Sequence, residues 1–258
     1  MQKEFAANAR DVVSQDPSVI GLAVGGSWLS NEIDEYSDLD LILVTKQKVS
    51  SSPQEMIAYA QRLGNFLNGF TGEHVGEPRV LICLYDDPLL HVDIKFLTLD
   101  EFHQRVENPH LLLDREGQLQ QILDSTQAHF PLPDYQWIED RFWTWVHYAL
   151  LKIGRGEYTE AFDFFGYLRM VVFGPLLHLK NKLLPRGVRK VETLLAPQDF
   201  QQIKSTIPTY ARTSLLESLQ NGVELYRDLR KALYPTDIVV RTNTETQVMK
   251  YFEKIAQM

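Results

Sequence analysis

Cysteine is almost absent from this sequence of 258 residues, in which Cys83 is the only one. A single cysteine cannot form an intrachain disulfide, so a disulfide-stabilised secreted scaffold is excluded and a reducing cytoplasm is favoured. Because Cys83 lies inside the apolar segment RVLICLY, we interpret it as a small core residue of a strand and not as a reactive thiol.

Long apolar runs and dense basic stretches are missing as well. No apolar run approaches the roughly 18 residues that a membrane span requires, and the first residues, MQKEFAANARDVV, lack the apolar region of a signal peptide. We therefore expect no membrane partner and a cytoplasmic location. With 26 Lys and Arg against 34 Asp and Glu, the net charge is −8. This balance argues against a nucleic-acid substrate, which usually requires a basic face.

The first half of the chain mixes helical and strand patterns. The predicted helices cover residues 1–15, residues 53 to about 67, and residues 118–128, with Pro53 in the first turn of the second helix. The predicted strands are SVIGLAV, DLDLILVT, RVLICLY, HVDIKFLT and the short LLLDREG. Thr98 and Glu101 form a capping-box pattern after the fourth of these strands.

The second half of the chain reads as helical from the segment PLPDY, Pro131 to Tyr135, onward. Apolar residues recur there at the three- and four-residue spacing of a helix with one buried face. Phe142 to Ile153 mark the buried face of a first predicted helix, residues 159–180 form a second and Thr213 to Leu233 a third. Gly174-Pro175 predicts a kink or break in the second of them. We therefore expect an α+β fold: a mixed-sheet domain over residues 1–130 and an all-helical domain over residues 131–258.

Two carboxylates in an otherwise apolar strand are the most informative feature. In DLDLILV, Asp38 and Asp40 alternate with Leu39 and Leu41, so both acids project from one face of a strand. Two adjacent like charges repel each other unless a cation lies between them. Hard divalent cations such as Mg²⁺ take carboxylate and phosphate oxygens as ligands. The pattern therefore predicts a metal site.

A glycine turn precedes these acids. Gly25, Gly26 and Ser27 follow the strand SVIGLAV, and we expect them to open a helix. Glycines let backbone N–H groups approach a phosphate closely, and the serine hydroxyl adds a donor. A Walker loop is not present, because no lysine follows the glycines.

The same logic predicts a third carboxylate on a neighbouring strand. Asp93 lies between apolar Val92 and Ile94 in HVDIKFLT. His91 and Lys95 share its face of the strand. We interpret His91 as a neighbour of the site and not as a ligand, because no other His or Cys stands at zinc-ligand spacing.

These motifs resemble the nucleotidyltransferase fold shared with DNA polymerase beta. The pattern is Gly25-Gly26-Ser27, then Asp38-Leu39-Asp40, then Asp93 in an apolar strand. It is most similar to bacterial aminoglycoside and lincosamide nucleotidyltransferases. Asp114, in LLLDREG, also resembles the strand that follows the third acid in those enzymes. The motifs cover residues 21–117, and the helical half resembles only in outline the domain that covers the cleft in such enzymes.

The resemblance implies a role for each matched residue. Asp38, Asp40 and Asp93 would hold two Mg²⁺ ions, with Asp93 alternatively taking the acceptor's proton. Gly25, Gly26 and Ser27 would bind the phosphates of a nucleoside triphosphate, ATP being the expected substrate. Basic side chains of the helical half would bind the triphosphate or pyrophosphate: Arg169 and Lys180 foremost, then Arg186, Arg189 and Lys190. The acceptor would be a hydroxyl of a small molecule, with an antibiotic such as an aminoglycoside as the first candidate.

Two other functions remain open at the level of sequence. One is a protein-modifying, AMPylating transferase of the toxin–antitoxin kind, although a complete helical half is unusual for those small proteins. The other is a non-catalytic nucleotide-binding module, which would not need three acids. The residues also leave open the acceptor, the oligomeric state and the general base, for which the rivals of Asp93 are Glu139, Asp140, Glu157 and Glu160.

Overall fold

Six strands from the first half of the chain form one mixed sheet in the computed structural model, which describes residues 1–258. They are β1 (Val19–Val24), β2 (Leu39–Thr45), β3 (Asn65–Gly72), β4 (Glu77–Asp86), β5 (Leu90–Thr98) and β6 (His110–Asp114). Their order across the sheet is β3-β4-β5-β2-β1-β6. Strands β2 and β5 run parallel, and every other neighbouring pair is antiparallel.

The two faces of the sheet are covered differently. Helices α1 (Gln2–Ser14) and α2 (Pro53–Gln61) pack on one face, where Leu39, Leu41, Val92 and their neighbours form the main core. Helices α3 (Leu99–Phe102) and α4 (Gln118–Ser125) cover the other face only near the carboxyl ends of β2 and β5. On this second face, the amino ends of those two strands, which carry the acids, therefore lie outside both clusters.

Local sequence signals explain most of these elements. The side chain of Thr98 accepts a hydrogen bond from the backbone N–H of Glu101, and the capping box predicted there is present. Cys83 is buried in β4, and burial raises the pKa of its thiol to about 12. The predicted helix from Pro53 to about Leu67 is wrong in its second half, since α2 ends at Gln61 and the edge strand β3 begins at Asn65.

Residues 132–258 form a second unit that contains only helices. They are α5 (Tyr135–Arg155), α6 (Tyr158–Leu168), α7 (Gly174–Lys180), α8 (Val191–Leu194), α9 (Pro197–Lys204), α10 (Arg212–Leu233) and α11 (Thr242–Gln257). At the centre, the rings of Phe142 and Tyr226 stack with their centroids 3.7 Å apart. The expected fold class, a mixed sheet with helices followed by an all-helical region, is thus confirmed.

The break predicted at Gly174-Pro175 takes the form of a π-helical segment, Arg169–Phe173, between α6 and α7. A proline removes one backbone donor, and a wider helical turn is one way to accommodate this loss. The combined stretch Tyr158–Lys180 is long and apolar enough to cross a membrane by length and composition, contrary to the expectation that no run approaches that limit. In the most apolar 18-residue segment of this stretch, 50% is buried inside the protein, and the core helix of a soluble protein meets the same criteria of length and composition.

Candidate active site

The register of two parallel strands brings the predicted acids together. Asp40 on β2 pairs directly with Asp93 on β5, and paired residues of neighbouring strands project to the same face. Asp38 immediately precedes β2, one alternation before Asp40. Carboxylate oxygens of the three residues lie within 4.8 Å of one another, and each residue is half-buried.

The electrostatics of this cluster disfavour three bare carboxylates. Burial raises the pKa of Asp93, and the nearby charge of Asp38 raises it further. His91 acts against both effects, because its Nε2 lies 2.9 Å from Asp93 Oδ1. A bound cation would relieve the remaining repulsion. The donor set consists of oxygen atoms alone, which suits a hard divalent ion such as Mg²⁺.

The glycine turn lies beside the acids and is held by them. The backbone N–H of Gly25 donates to the backbone carbonyl of Asp40 at 3.0 Å. Gly26 adopts φ +62°, and a Cβ there would overlap the Asp40 carboxylate, whose Cγ would be only 3.0 Å away. Glycine is thus required at Gly26 for two reasons, a left-handed backbone and a close approach.

The expectation that this turn opens a helix is wrong. Only one 3₁₀ turn, Gly26–Trp28, follows β1, so a helix dipole makes no contribution here. Ser27 lies within this turn and is half-buried, and its backbone carbonyl accepts from the N–H of Glu32 at 3.1 Å. The N–H of Gly25 is bonded to Asp40, so an anion would use the Ser27 hydroxyl and the other backbone N–H groups of the turn.

Glu107 is the residue of this site that sequence reasoning missed. Its Oε1 accepts a hydrogen bond from the backbone N–H of Gly26 at 2.7 Å. It comes from the loop before β6, 81 positions further along the chain. No periodicity or motif marks an isolated glutamate in such a loop, so only the folded structure reveals the contact.

The two foremost of the predicted basic residues, Arg169 and Lys180, already have partners inside the helical unit. Arg169 is half-buried, donates to the backbone carbonyl of Thr206 at 2.8 Å, and has its pKa lowered by burial. Lys180 pairs with Asp199 at 2.6 Å. Their assignment to a triphosphate therefore stays a prediction. To bind a triphosphate, Arg169 would have to share or release its contact with Thr206, and Lys180 its contact with Asp199.

The rival general bases also have partners in that unit. Glu139 is fully buried, accepts from the Tyr226 hydroxyl at 2.6 Å, and pairs with Arg230 at 3.2 Å. The other three candidates are tied to basic side chains: Asp140 to Arg241, and Glu157 and Glu160 to Lys152. Asp93 differs from all four in its place, since it lies in the carboxylate cluster with Asp38 and Asp40.

Comparisons with known proteins give one kind of match. No family model matches the chain, and no curated protein matches it. Among solved structures, the crystal structure of an aminoglycoside 6-adenyltransferase from Bacillus subtilis is similar over 100% of this chain and 99% of that chain, with 17% sequence identity and a TM-score of 0.41. At this level of similarity, the chemistry of this chain has to come from its own residues.

Removing the charge of Asp93 is expected to stabilise the metal-free protein near neutral pH. The folded-state pKa of Asp93 is raised above its ordinary value of 3.8. In the wild type, the contribution of Asp93 to the stability of the folded state is therefore fully present below pH 3.8. It is lost as the pH rises through the folded-state pKa. Thermal unfolding in EDTA should give a higher Tm for Asp93→Asn than for wild type at pH 7.5, with the difference shrinking toward pH 4. A lower Tm for the variant at pH 7.5 would contradict the electrostatic argument.

Proposed function

We propose that this protein is a Mg²⁺-dependent nucleotidyltransferase that moves AMP from ATP to a hydroxyl of a small molecule. One observation carries the proposal: Asp40 and Asp93 face each other on parallel strands, with Asp38 within 4.8 Å, directly beside the glycine turn. A chain that bound a nucleotide without reacting it would not need three converging carboxylates at this position.

The residues divide the work as follows. Asp38, Asp40 and Asp93 would hold the Mg²⁺ ions, which supply electrostatic stabilisation of the charge that develops on the phosphoryl oxygens. Backbone N–H groups of the glycine turn and the Ser27 hydroxyl would orient the phosphates. The acceptor oxygen forms a bond to the α-phosphorus while the bond from this phosphorus to the bridging oxygen breaks, and pyrophosphate leaves.

As the alternative to metal ligation, Asp93 would receive the proton that the acceptor hydroxyl loses. Burial raises its pKa in the metal-free protein, which favours proton uptake, whereas a bound Mg²⁺ ion would lower that pKa. His91, hydrogen-bonded to the same carboxylate, would hold it in position. The single buried cysteine supports action in the cytoplasm.

Transfer of label tests this proposal. The full-length protein is incubated with ATP labelled at the α-phosphate, Mg²⁺, a panel of hydroxylated antibiotics and metabolites, and separately a cell lysate. Labelled small molecules and equimolar pyrophosphate are expected. Label on a lysate protein, with none on any small molecule, would identify a protein-modifying transferase instead. Absence of both products, with intact ATP binding, would indicate a binding module.

Neutralising Glu107 is expected to tighten triphosphate binding. The Glu107 carboxylate occupies the Gly26 N–H that a phosphate would use, so a triphosphate must displace one negative charge to bind there. Glu107→Gln keeps the shape of the side chain and removes the charge. We expect a threefold to tenfold lower Kd for ATP with Mg²⁺, roughly the 1 kcal/mol of a charge-assisted hydrogen bond over a neutral one. Calorimetric titration measures it.

Glu55→Gln is the matched control, because Glu55 is exposed on α2, which packs on the opposite face of the sheet. Its Kd for ATP should equal that of the wild type. Weaker binding by Glu107→Gln would show that the glutamate supports the turn and does not compete with the phosphate.

A further inference from the structure

A row of side chains crosses the sheet from the acids to its edge. Asp40 on β2 pairs with Asp93 on β5, Asp93 pairs with Ile82 on β4, and Ile82 pairs with Phe70 on β3. Since paired residues project to the same side, all four side chains lie on the face that carries the acids. Strands are spaced about 4.8 Å apart, so the row begins beside the acids and ends about 10 Å from Asp93.

The apolar end of this row belongs to a larger apolar strip, which we define as Phe70, Val80, Ile82 and Leu84. In the register of β4 and β5, Val80 pairs with Lys95 and Leu84 pairs with His91. Phe70 is 51% exposed and Leu84 is 39% exposed, while Val80 and Ile82 are half-buried. The alternate residues of β4, such as Leu81 and Cys83, are buried on the opposite face. The exposure of the strip therefore follows from strand alternation in a well-packed sheet.

The order of the strands places the strip on the acceptor side of the acids. The glycine turn follows β1, which lies on one side of β2, while β5, β4 and β3 continue on the other side. With phosphates at the glycine turn, the acids lie between the nucleotide and the strip. Attacking and leaving oxygens are roughly in line during phosphoryl transfer. The acceptor therefore approaches from the side opposite the leaving pyrophosphate, over the strip.

The charges beside the strip do not favour a polycation. Lys95 and Arg79 both pair with Glu77, at 2.8 Å and 2.7 Å. His91 contacts Asp93. The three acids of the cluster are assigned to the metal. Asp86, two residues beyond Leu84 on β4, is an exposed carboxylate on the same face of that strand, and one carboxylate does not offer a site for several ammonium groups.

We infer that the acceptor carries an apolar or aromatic portion next to its reactive hydroxyl, and that this portion packs on Phe70, Ile82 and Leu84. This inference rests on the proposed function and specifies its substrate class. It differs from the polycationic acceptor that the family resemblance suggested, because continuity of the strip with Asp93 selects for apolar contact. Phe70 would act as a specificity-determining residue at the far end.

A small probe tests the inference in the full-length protein. The probe is 2-(4-fluorophenyl)ethanol, which joins a hydroxyl to an aromatic ring, and the comparison compound is kanamycin. Fluorine NMR measures probe binding with α,β-methylene-ATP and Mg²⁺ present, and repeating it with Mn²⁺ reports whether the ring lies near the acids. Calorimetry with α,β-methylene-ATP and Mg²⁺ measures nucleotide binding in the same samples.

Phe70→Ser is expected to weaken probe binding about fivefold to tenfold, because part of one aromatic contact is lost. Nucleotide binding should be unchanged. Leu89→Ser is the control, since Leu89 is 64% exposed in the turn before β5, outside the strip, and it should bind the probe as the wild type does. Both substitutions replace exposed side chains, so folding is expected to be retained. Paramagnetic broadening of the fluorine signal by Mn²⁺ is expected in the wild type.

Equal probe affinity in Phe70→Ser and wild type, no detectable binding, or displacement of the probe by kanamycin at lower concentration than by unlabelled 2-phenylethanol would each overturn the inference. Probe binding that depends on Phe70, in a protein that binds no nucleotide with Mg²⁺, would retain the strip as a binding site and reject the proposed function. Nucleotide binding without Phe70-dependent probe binding would retain the proposed function and reject the strip as the acceptor site.

Discussion

Asp40→Asn is expected to lower nucleotidyl transfer by roughly three orders of magnitude, which corresponds to the loss of about 4 kcal/mol of transition-state stabilisation. Asp40 is central to the cluster, because it faces Asp93 across the strand pair and its backbone carbonyl holds Gly25. An amide keeps the shape of the side chain and removes the charge that a divalent cation requires. Initial rates with labelled ATP and saturating Mg²⁺ measure the effect.

The matched control for Asp40→Asn is Asp124→Asn, which removes one negative charge at an exposed position of α4. Its rate should equal that of the wild type. Circular dichroism and Tm should show that Asp40→Asn is folded, since relief of carboxylate repulsion offsets the lost interactions. A folded Asp40→Asn variant with wild-type activity would remove the metal assignment.

Gly26→Ala is expected to abolish activity and to destabilise the protein. Two costs combine at this position: a left-handed backbone, which costs an L-residue about 1–2 kcal/mol, and overlap of the new Cβ with the Asp40 carboxylate. Either the turn or Asp40 must move, and both belong to the site. We expect the free energy of unfolding, measured by urea denaturation, to fall by about 2–4 kcal/mol. We also expect Mg²⁺-dependent triphosphate binding to be lost.

Gly76→Ala separates the two costs. Gly76 also has a left-handed backbone, with φ +80°, but a Cβ there would meet no atom within 4 Å. It should show only the backbone cost and should keep its affinity for triphosphate. If both variants lose the same stability and both bind triphosphate normally, the close approach of Gly26 to Asp40 has no functional importance.

Sequence patterns predicted the parts of the site that depend on strand alternation. Asp38 and Asp40 share a face because of their spacing, and an acid between Val92 and Ile94 has to project from the solvent side of its strand. The pairing of Asp40 with Asp93 was beyond such reasoning, since the register of two parallel strands depends on the whole intervening chain. The contact between Glu107 and Gly26 depends on a loop closure and has no local signal.

Two elements were misjudged for different physical reasons. Strand β3 has weak alternation because it lies at the edge of the sheet, where both faces are partly exposed, and only its hydrogen bonds to β4 define it. The glycine turn does not continue into a helix because Ser30, Asn31 and Glu32 are polar and the segment pairs locally, with the N–H of Glu32 bonded to the carbonyl of Ser27. Tertiary contacts outweigh local propensity in β3, whereas local hydrogen bonds end the glycine turn.

Binding of Mn²⁺ in place of Mg²⁺ tests the central claim most directly. Electron paramagnetic resonance of free Mn²⁺ is recorded for wild type and Asp40→Asn, with and without α,β-methylene-ATP, which cannot release pyrophosphate. We predict that the wild type with the nucleotide analogue binds two Mn²⁺ ions per chain, and that Asp40→Asn with the analogue lowers the free Mn²⁺ signal no more than the analogue does alone. A free Mn²⁺ signal that falls equally for both proteins would contradict the assignment of Asp38, Asp40 and Asp93 as the metal site.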